Sequence, residues 1–110
     1  LLNVACNSIS HMQREKNYEI FFGLLANKFK QRIIAELMRR EQNVNELSKN
    51  LKAERSKVSH ALLVLEKCRV AVARKEGKFR IYSLNSETIV PLLRLVDRHA
   101  GKYCEKCNYK

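Results

Sequence analysis

Apolar positions fall at helical spacing over most of this chain, and alternate over one short stretch. Ile9, Met12, Ile20, Phe21, Phe22, Leu24 and Leu25 predict a first helix over 8–26, with a break expected near Asn17. Its apolar residues are too dense for a single face, which implies burial on more than one side, as at a subunit interface. "KQRIIAELMRRE", 30–41, predicts a second helix with Ile33, Ile34, Leu37 and Met38 on one face. Asn43 or Asn45 then reads as a cap for a short third helix, "VNELSKNL", with Leu47 and Leu51 one turn apart. After the polar turn "KAERS", a fourth helix is predicted over 55–68, started by Ser56 or Glu54. Val58, Leu62, Leu65 and one of Leu63 or Val64 face inward.

The period then changes. "VAVARKEGKFRIYSL" alternates, with Val70 and Val72 on one limb and Phe79, Ile81 and Ser83 on the other. Gly77 in "KEGK" supplies the positive φ of a tight turn. A two-stranded hairpin over 70–74 and 79–84 follows, and it needs the helices to pack on. Asn85 or Ser86 caps a last helix with Ile89, Leu92, Leu93 and Val96 as its stripe. Pro91, about one turn in, is expected to kink or restart it, and Gly101 to weaken or end it. The fold class is therefore mainly α with a small β-hairpin. Helix, helix, polar turn, helix and hairpin in that order predict a winged helix-turn-helix.

Charge sharpens this picture. The 110 residues carry a net charge of +11. Residues 28–84 hold 15 bases against 6 acids, whereas 1–27 are balanced. A field concentrated on the helix-turn-helix segment is the footprint of a polyanion binder. One domain is expected over 1–110: an N-terminal dimerisation helix in 1–27, a DNA-binding core and wing in 28–84, and a C-terminal helix with a cysteine-bearing tail in 85–110. No apolar run is long enough to span a bilayer, and "LLNVACNSIS" lacks a basic n-region, so no membrane role and a cytoplasmic location are expected. No phosphate-cradling glycine loop and no nucleophile–base set is present, so no enzyme is expected.

Specific residues then carry a resemblance. Ser56, Lys57, Val58, Ser59, His60, Leu62 and Leu65, followed by Gly77 and Tyr82-Ser83-Leu84, resemble the recognition helix and wing of the ArsR family of winged-helix repressors. "LLANKFKQRIIAEL" resembles the family's preceding helix, so the likeness spans about residues 24–99. It implies a homodimer joined through first and last helices, and two recognition helices on successive major grooves of a palindromic double-stranded operator. Base choice is expected from Arg55, Ser56, Lys57, Ser59 and His60, with Arg74, Lys75, Lys78 and Arg80 on the wing. The chain departs from the family in having Lys52 and Arg69 where glycines usually flank the recognition helix, two cations able to add phosphate contacts. The family's metalloid Cys-Val-Cys is replaced by Asn43, Val44 and Asn45, so that site is absent.

The four cysteines raise a separate question. Cys104 and Cys107 have the spacing of a metal-ligand or redox pair. Cys6 with Cys104 and Cys107 would suit As(III) or another soft ion, and two thiolates with His99 or His11 would suit Zn(II). Oxidation of Cys104 and Cys107, with Lys102 and Lys106 favouring thiolate, is the redox alternative. A structural zinc clamp or an idle tail is a third. Asp97-Arg98-His99 resembles the Asp-x-His of the family's zinc site, but it sits late in its helix and the following His-x-x-Glu is missing. Cys68 is expected in the core. The resulting expectation is a sequence-specific transcriptional repressor controlled by metal, metalloid or thiol chemistry at terminal cysteines. Its rival is a constitutive architectural or RNA-binding winged helix.

Overall fold

The computed structural model describes residues 10–104. In chain order it contains α1 (His11–Ala26), α2 (Lys28–Arg39), α3 (Val44–Leu51), α4 (Arg55–Lys67), β1 (Ala71–Glu76), β2 (Phe79–Leu84) and α5 (Ile89–Tyr103). The two strands pair antiparallel, Ala71 opposite Leu84 and Glu76 opposite Phe79, around a turn with Gly77 at φ 64°. The arrangement is a winged helix-turn-helix.

Local chemistry sets each boundary. Ser10 caps α1, its hydroxyl accepting from the Gln13 amide at 3.1 Å. Asn27 both ends α1 and caps α2. Asn43 caps α3 in a reciprocal box: its Oδ1 accepts from the Glu46 amide at 2.8 Å, and the Asn43 amide donates to Glu46 at 2.9 Å. Among the described residues, two non-glycine residues hold left-handed backbone, Lys52 at φ 54° and Arg69 at φ 60°. They end α3 and α4 by one device. The Ala53 amide reaches back to the Ser48 carbonyl, and the Val70 amide to the Leu65 carbonyl. These are the wrap-around bonds of a helix end that turns through a left-handed residue.

Ile33, Leu47, Val58, Leu62, Leu65 and Val70 are fully buried and fix α2, α3, α4 and the wing in one core. Burying each such side chain stabilises by about 1.5–3 kcal/mol. Gln42 is also fully buried. Its backbone pairs with Tyr82 as an isolated bridge beside the wing, N–H to carbonyl at 3.0 and 2.8 Å. Its side-chain amide donates to the Glu36 carbonyl at 3.0 Å, and its oxygen accepts from Asn50 at 2.8 Å. One buried polar residue thus joins α2, α3 and β2.

Several expectations are corrected. α1 runs unbroken through Asn17, and Ile9 lies outside the described residues. The first strand runs over Ala71–Glu76 and not 70–74, because Val70 enters the core before it begins; Ala71, Ala73, Tyr82 and Leu84 form the inner wing face, and Val72, Ile81 and Phe79 the other. Cys68 is exposed, not core: α4 stops at Lys67, and the left-handed turn at Arg69 gives the inward place to Val70. Of the two alternatives Leu63 and Val64, Val64 is the more covered and Leu63 is half exposed, while Ala61 joins the inward face. Pro91 does not kink α5, because it falls in the first turn, where its missing N–H has no helical partner to lose. The preceding Asn85 side chain accepts from the Glu87 amide at 2.9 Å and sets up that start. Gly101 lies within α5, which continues to Tyr103.

Candidate nucleic-acid interface

The α3–α4 turn presents the first turn of α4 to solvent. Arg32 of α2 donates to the Leu51 carbonyl at 2.7 Å, closing the end of α3 beside that turn. The first turn of α4 holds no acid, and Glu54 makes no side-chain cap. The leading N–H groups of a helix lack intrahelical partners, and its N-terminus favours a phosphate.

Along α4, each residue rotates about 100°. Val58, Ala61, Leu62 and Leu65 face the core. Ser56, His60, Leu63 and Lys67 therefore fall on the opposite side, and all four are exposed. Ser59 and Glu66 flank this stripe toward the wing. Lys57 flanks the other edge, with its ammonium 4.5 Å from the centre of the Phe29 ring of α2. Arg32 lies 5.9 Å from the same ring. Phe29 thus holds Lys57 at the α2 side of the stripe.

The wing cations divide in two. Lys75 and Lys78 are exposed at and beside the tip, where the ion pairs of the wing do not involve them. Arg80 bridges back to α4, its guanidinium 2.9 Å from Glu66 and 3.3 Å from the Tyr82 hydroxyl. Tyr82 first, and then Glu66, hold it above the ordinary arginine range. That turn toward α4 relieves Arg80 from Lys75, which stands directly opposite it in the ladder. Arg74 pairs with Glu41 in the α2–α3 connection and with Glu76 at 3.3 Å. The Arg74 hydrogen bond holds the Glu41 carboxyl below its usual value. Arg74 and Arg80 tie the wing down on both faces, while the lysines extend from it. Arg55 is exposed at the start of α4.

The terminal ligand set is described only in part. His99 is exposed on α5 and Cys104 is exposed just past its end, and the His99 ring lies 4.9 Å from Tyr103. Cys6 and Cys107 lie outside the described residues. Among the described residues, no three His, Cys, Asp or Glu side chains are grouped to hold a metal. His11 instead faces Glu15 at 3.1 Å. At the α3 start, Asn43 is committed to capping, and no thiolate is present to take a soft ion. Among the described residues, no helix is long and apolar enough to cross a membrane.

Reasoning from sequence missed Gln42, Phe29, Leu63 and Lys67. A helical wheel centred on Val58, Leu62 and Leu65 would have found the last two. Nothing local marks the first.

A braced recognition helix with a basic wing defines the winged helix-turn-helix class of DNA-binding proteins. Comparison with known proteins narrows it. The profile of bacterial regulatory proteins of the arsR family matches residues 29–71. An uncharacterized HTH-type transcriptional regulator of Mycobacterium tuberculosis, Rv0081, is 36% identical over 86 residues, covering 74% of this chain and 75% of that protein. The crystal structure of Rv0081 superposes with a TM-score of 0.75 at 30% identity, over 83% of this chain and 92% of that one. A transcriptional repressor SmtB homolog from Synechocystis is 34% identical over 79 residues, covering 72% of this chain and 60% of that protein. The homodimeric winged helix-turn-helix DNA-binding domain of Mb0332 from Mycobacterium bovis shares the fold, with a TM-score of 0.75 at 21% identity, over 94% of this chain and 97% of that one. The chain belongs to the ArsR family, and it is a DNA-binding transcriptional regulator, not an enzyme.

Proposed function

We propose that the protein is a homodimeric, sequence-specific repressor that lays α4 of each protomer in successive major grooves of a palindromic operator. The observation that carries this reading is the exposed stripe Ser56–His60–Leu63–Lys67 on the side of α4 opposite the core. Ser56, Ser59 and His60 are short donors and acceptors suited to base edges. Arg55, Lys57, Lys75 and Lys78 supply phosphate contacts, and Arg74 and Arg80 set the wing angle. Residues 28–84 carry this surface, and 1–27 with 85–110 carry the dimer.

Two features support the dimer. No residue of α1 is buried, and Ile20 and Phe22 are more than half exposed. α5 buries only Ile89, leaving Leu95 and Val96 open beside an apolar groove lined by Phe22, Leu25, Ile34, Met38 and Leu92. Such faces are covered when two copies meet.

The effector is assigned to Cys6, Cys104 and Cys107 with His99, acting as soft-metal ligands for As(III) or Zn(II). The exposure of Cys104 at the end of α5 supports this, since a ligand there bears on a dimer helix. The test is a fluorescence-anisotropy titration of the reduced protein on its own upstream DNA, with and without Zn(II), arsenite or a mild oxidant. Release by a metal, lost in the Cys104→Ser/Cys107→Ser variant, is the expected result. Release by the oxidant alone would make the switch redox, and no release would remove the sensing role.

A further inference from the structure

Leu63 is 50% exposed on a helix where Val58, Leu62 and Leu65 are fully buried and Val64 is partly covered. It stands three residues after His60 and four before Lys67, in the centre of the outward stripe. With Glu66, Lys67 and Arg69 it lines a shallow concavity on α4. Leu63 is the apolar residue of that concavity, and Lys67 and Arg69 are the cations beside it. Glu66 is the acid there, and Arg80 already holds it at 2.9 Å. The spot is therefore free to approach a polyanion and lacks a hydrogen-bonding side chain at its centre.

DNA offers one apolar group in the major groove, the C5 methyl of thymine. We propose that Leu63 is a specificity-determining residue that reads thymine by packing on that methyl. This rests on α4 being the recognition helix. His60 and Ser59 would read polar edges at neighbouring positions, and Leu63 would add preference for T over C at a position where no hydrogen bond is made.

The test separates the two claims. A duplex is first selected by the wild-type protein from a random pool. Each thymine is then replaced by deoxyuridine, which removes only the methyl. At one thymine per half-site, wild type should bind about fourfold more weakly after replacement, the value of one buried methyl. Leu63→Ala, at an exposed helical site that tolerates alanine, should bind thymine and deoxyuridine duplexes alike. Leu63→Met should retain the discrimination. Equal sensitivity to deoxyuridine in wild type and Leu63→Ala, or insensitivity of wild type at every thymine, overturns the role of Leu63 while leaving the recognition helix standing. Failure to select any sequence overturns both.

Discussion

At the scale of single residues, Lys52 and Arg69 take backbone that glycine takes at no steric cost. The left-handed region costs an L-residue roughly 1–2 kcal/mol, and both sites need it to turn the chain out of a helix. Lys52→Gly and Arg69→Gly should each stabilise the fold by about 1 kcal/mol in thermal denaturation, part of the gain being lost to the freer unfolded chain. If their charges reach phosphate, each variant should also show a smaller salt dependence of DNA binding. The same division applies to readers and anchors. His60→Ala should narrow the gap between selected and random DNA, while Lys78→Ala should weaken both alike and lower the salt slope by about one. Arg74 provides a pH signature. Because Glu41 is depressed in the fold, the pair's contribution is present above the ordinary carboxylate range and fades as pH falls through the lowered value. The difference in melting temperature between wild type and Arg74→Gln should shrink accordingly in acid.

At the scale of elements, the bracing helix depends on two polar residues of different legibility. Asn43 was visible as a cap because Asn followed by Glu three residues on is a start signal. Asn43→Ala should cost about 1 kcal/mol. Gln42, next to it, was not visible. In "RREQNVNEL" no local pattern says which polar residue is buried, and its pairing partner Tyr82 is remote in sequence. Gln42→Leu should cost about 1–3 kcal/mol by denaturant titration, since Asn50 and the Glu36 carbonyl lose a buried partner. The order of elements and the inner face of α4 were legible because period and burial agree there. In the sequence Val70 and Val72 look like one alternating pair. A helix end between Lys67 and Ala71 separates them, and only left-handed turn geometry at a non-glycine creates it. Cys68 was misplaced for the same reason. The apolar-means-inward rule left Leu63 and Val64 as alternatives, and Leu63 is the one that stands half exposed.

At the scale of the whole molecule, α1 and α5 are the least covered elements, and the net charge of +11 lies mainly elsewhere. An apolar pair of helices and a basic core form two separate surfaces, one that the proposed dimer would cover with a second copy and one for DNA. Val96→Glu should therefore yield a monomer with unchanged helicity, seen by sedimentation. Its affinity for a two-half-site duplex should fall on the order of 10²-fold, because the second recognition helix no longer arrives tethered to the first. The core residues Leu62 and Leu65 answer differently, since Leu62→Ala removes fully buried volume and should cost about 2–5 kcal/mol of fold stability.

The most direct measurement is a competition titration of the reduced protein on a selected duplex against a scrambled duplex of equal length and composition, at fixed salt. A recognition helix that reads bases should give a preference of at least about 10³-fold with two protomers per duplex, and a preference much reduced in His60→Ala. Equal affinity for the two duplexes, with or without His60, would contradict it and leave a basic winged helix that holds DNA without reading it.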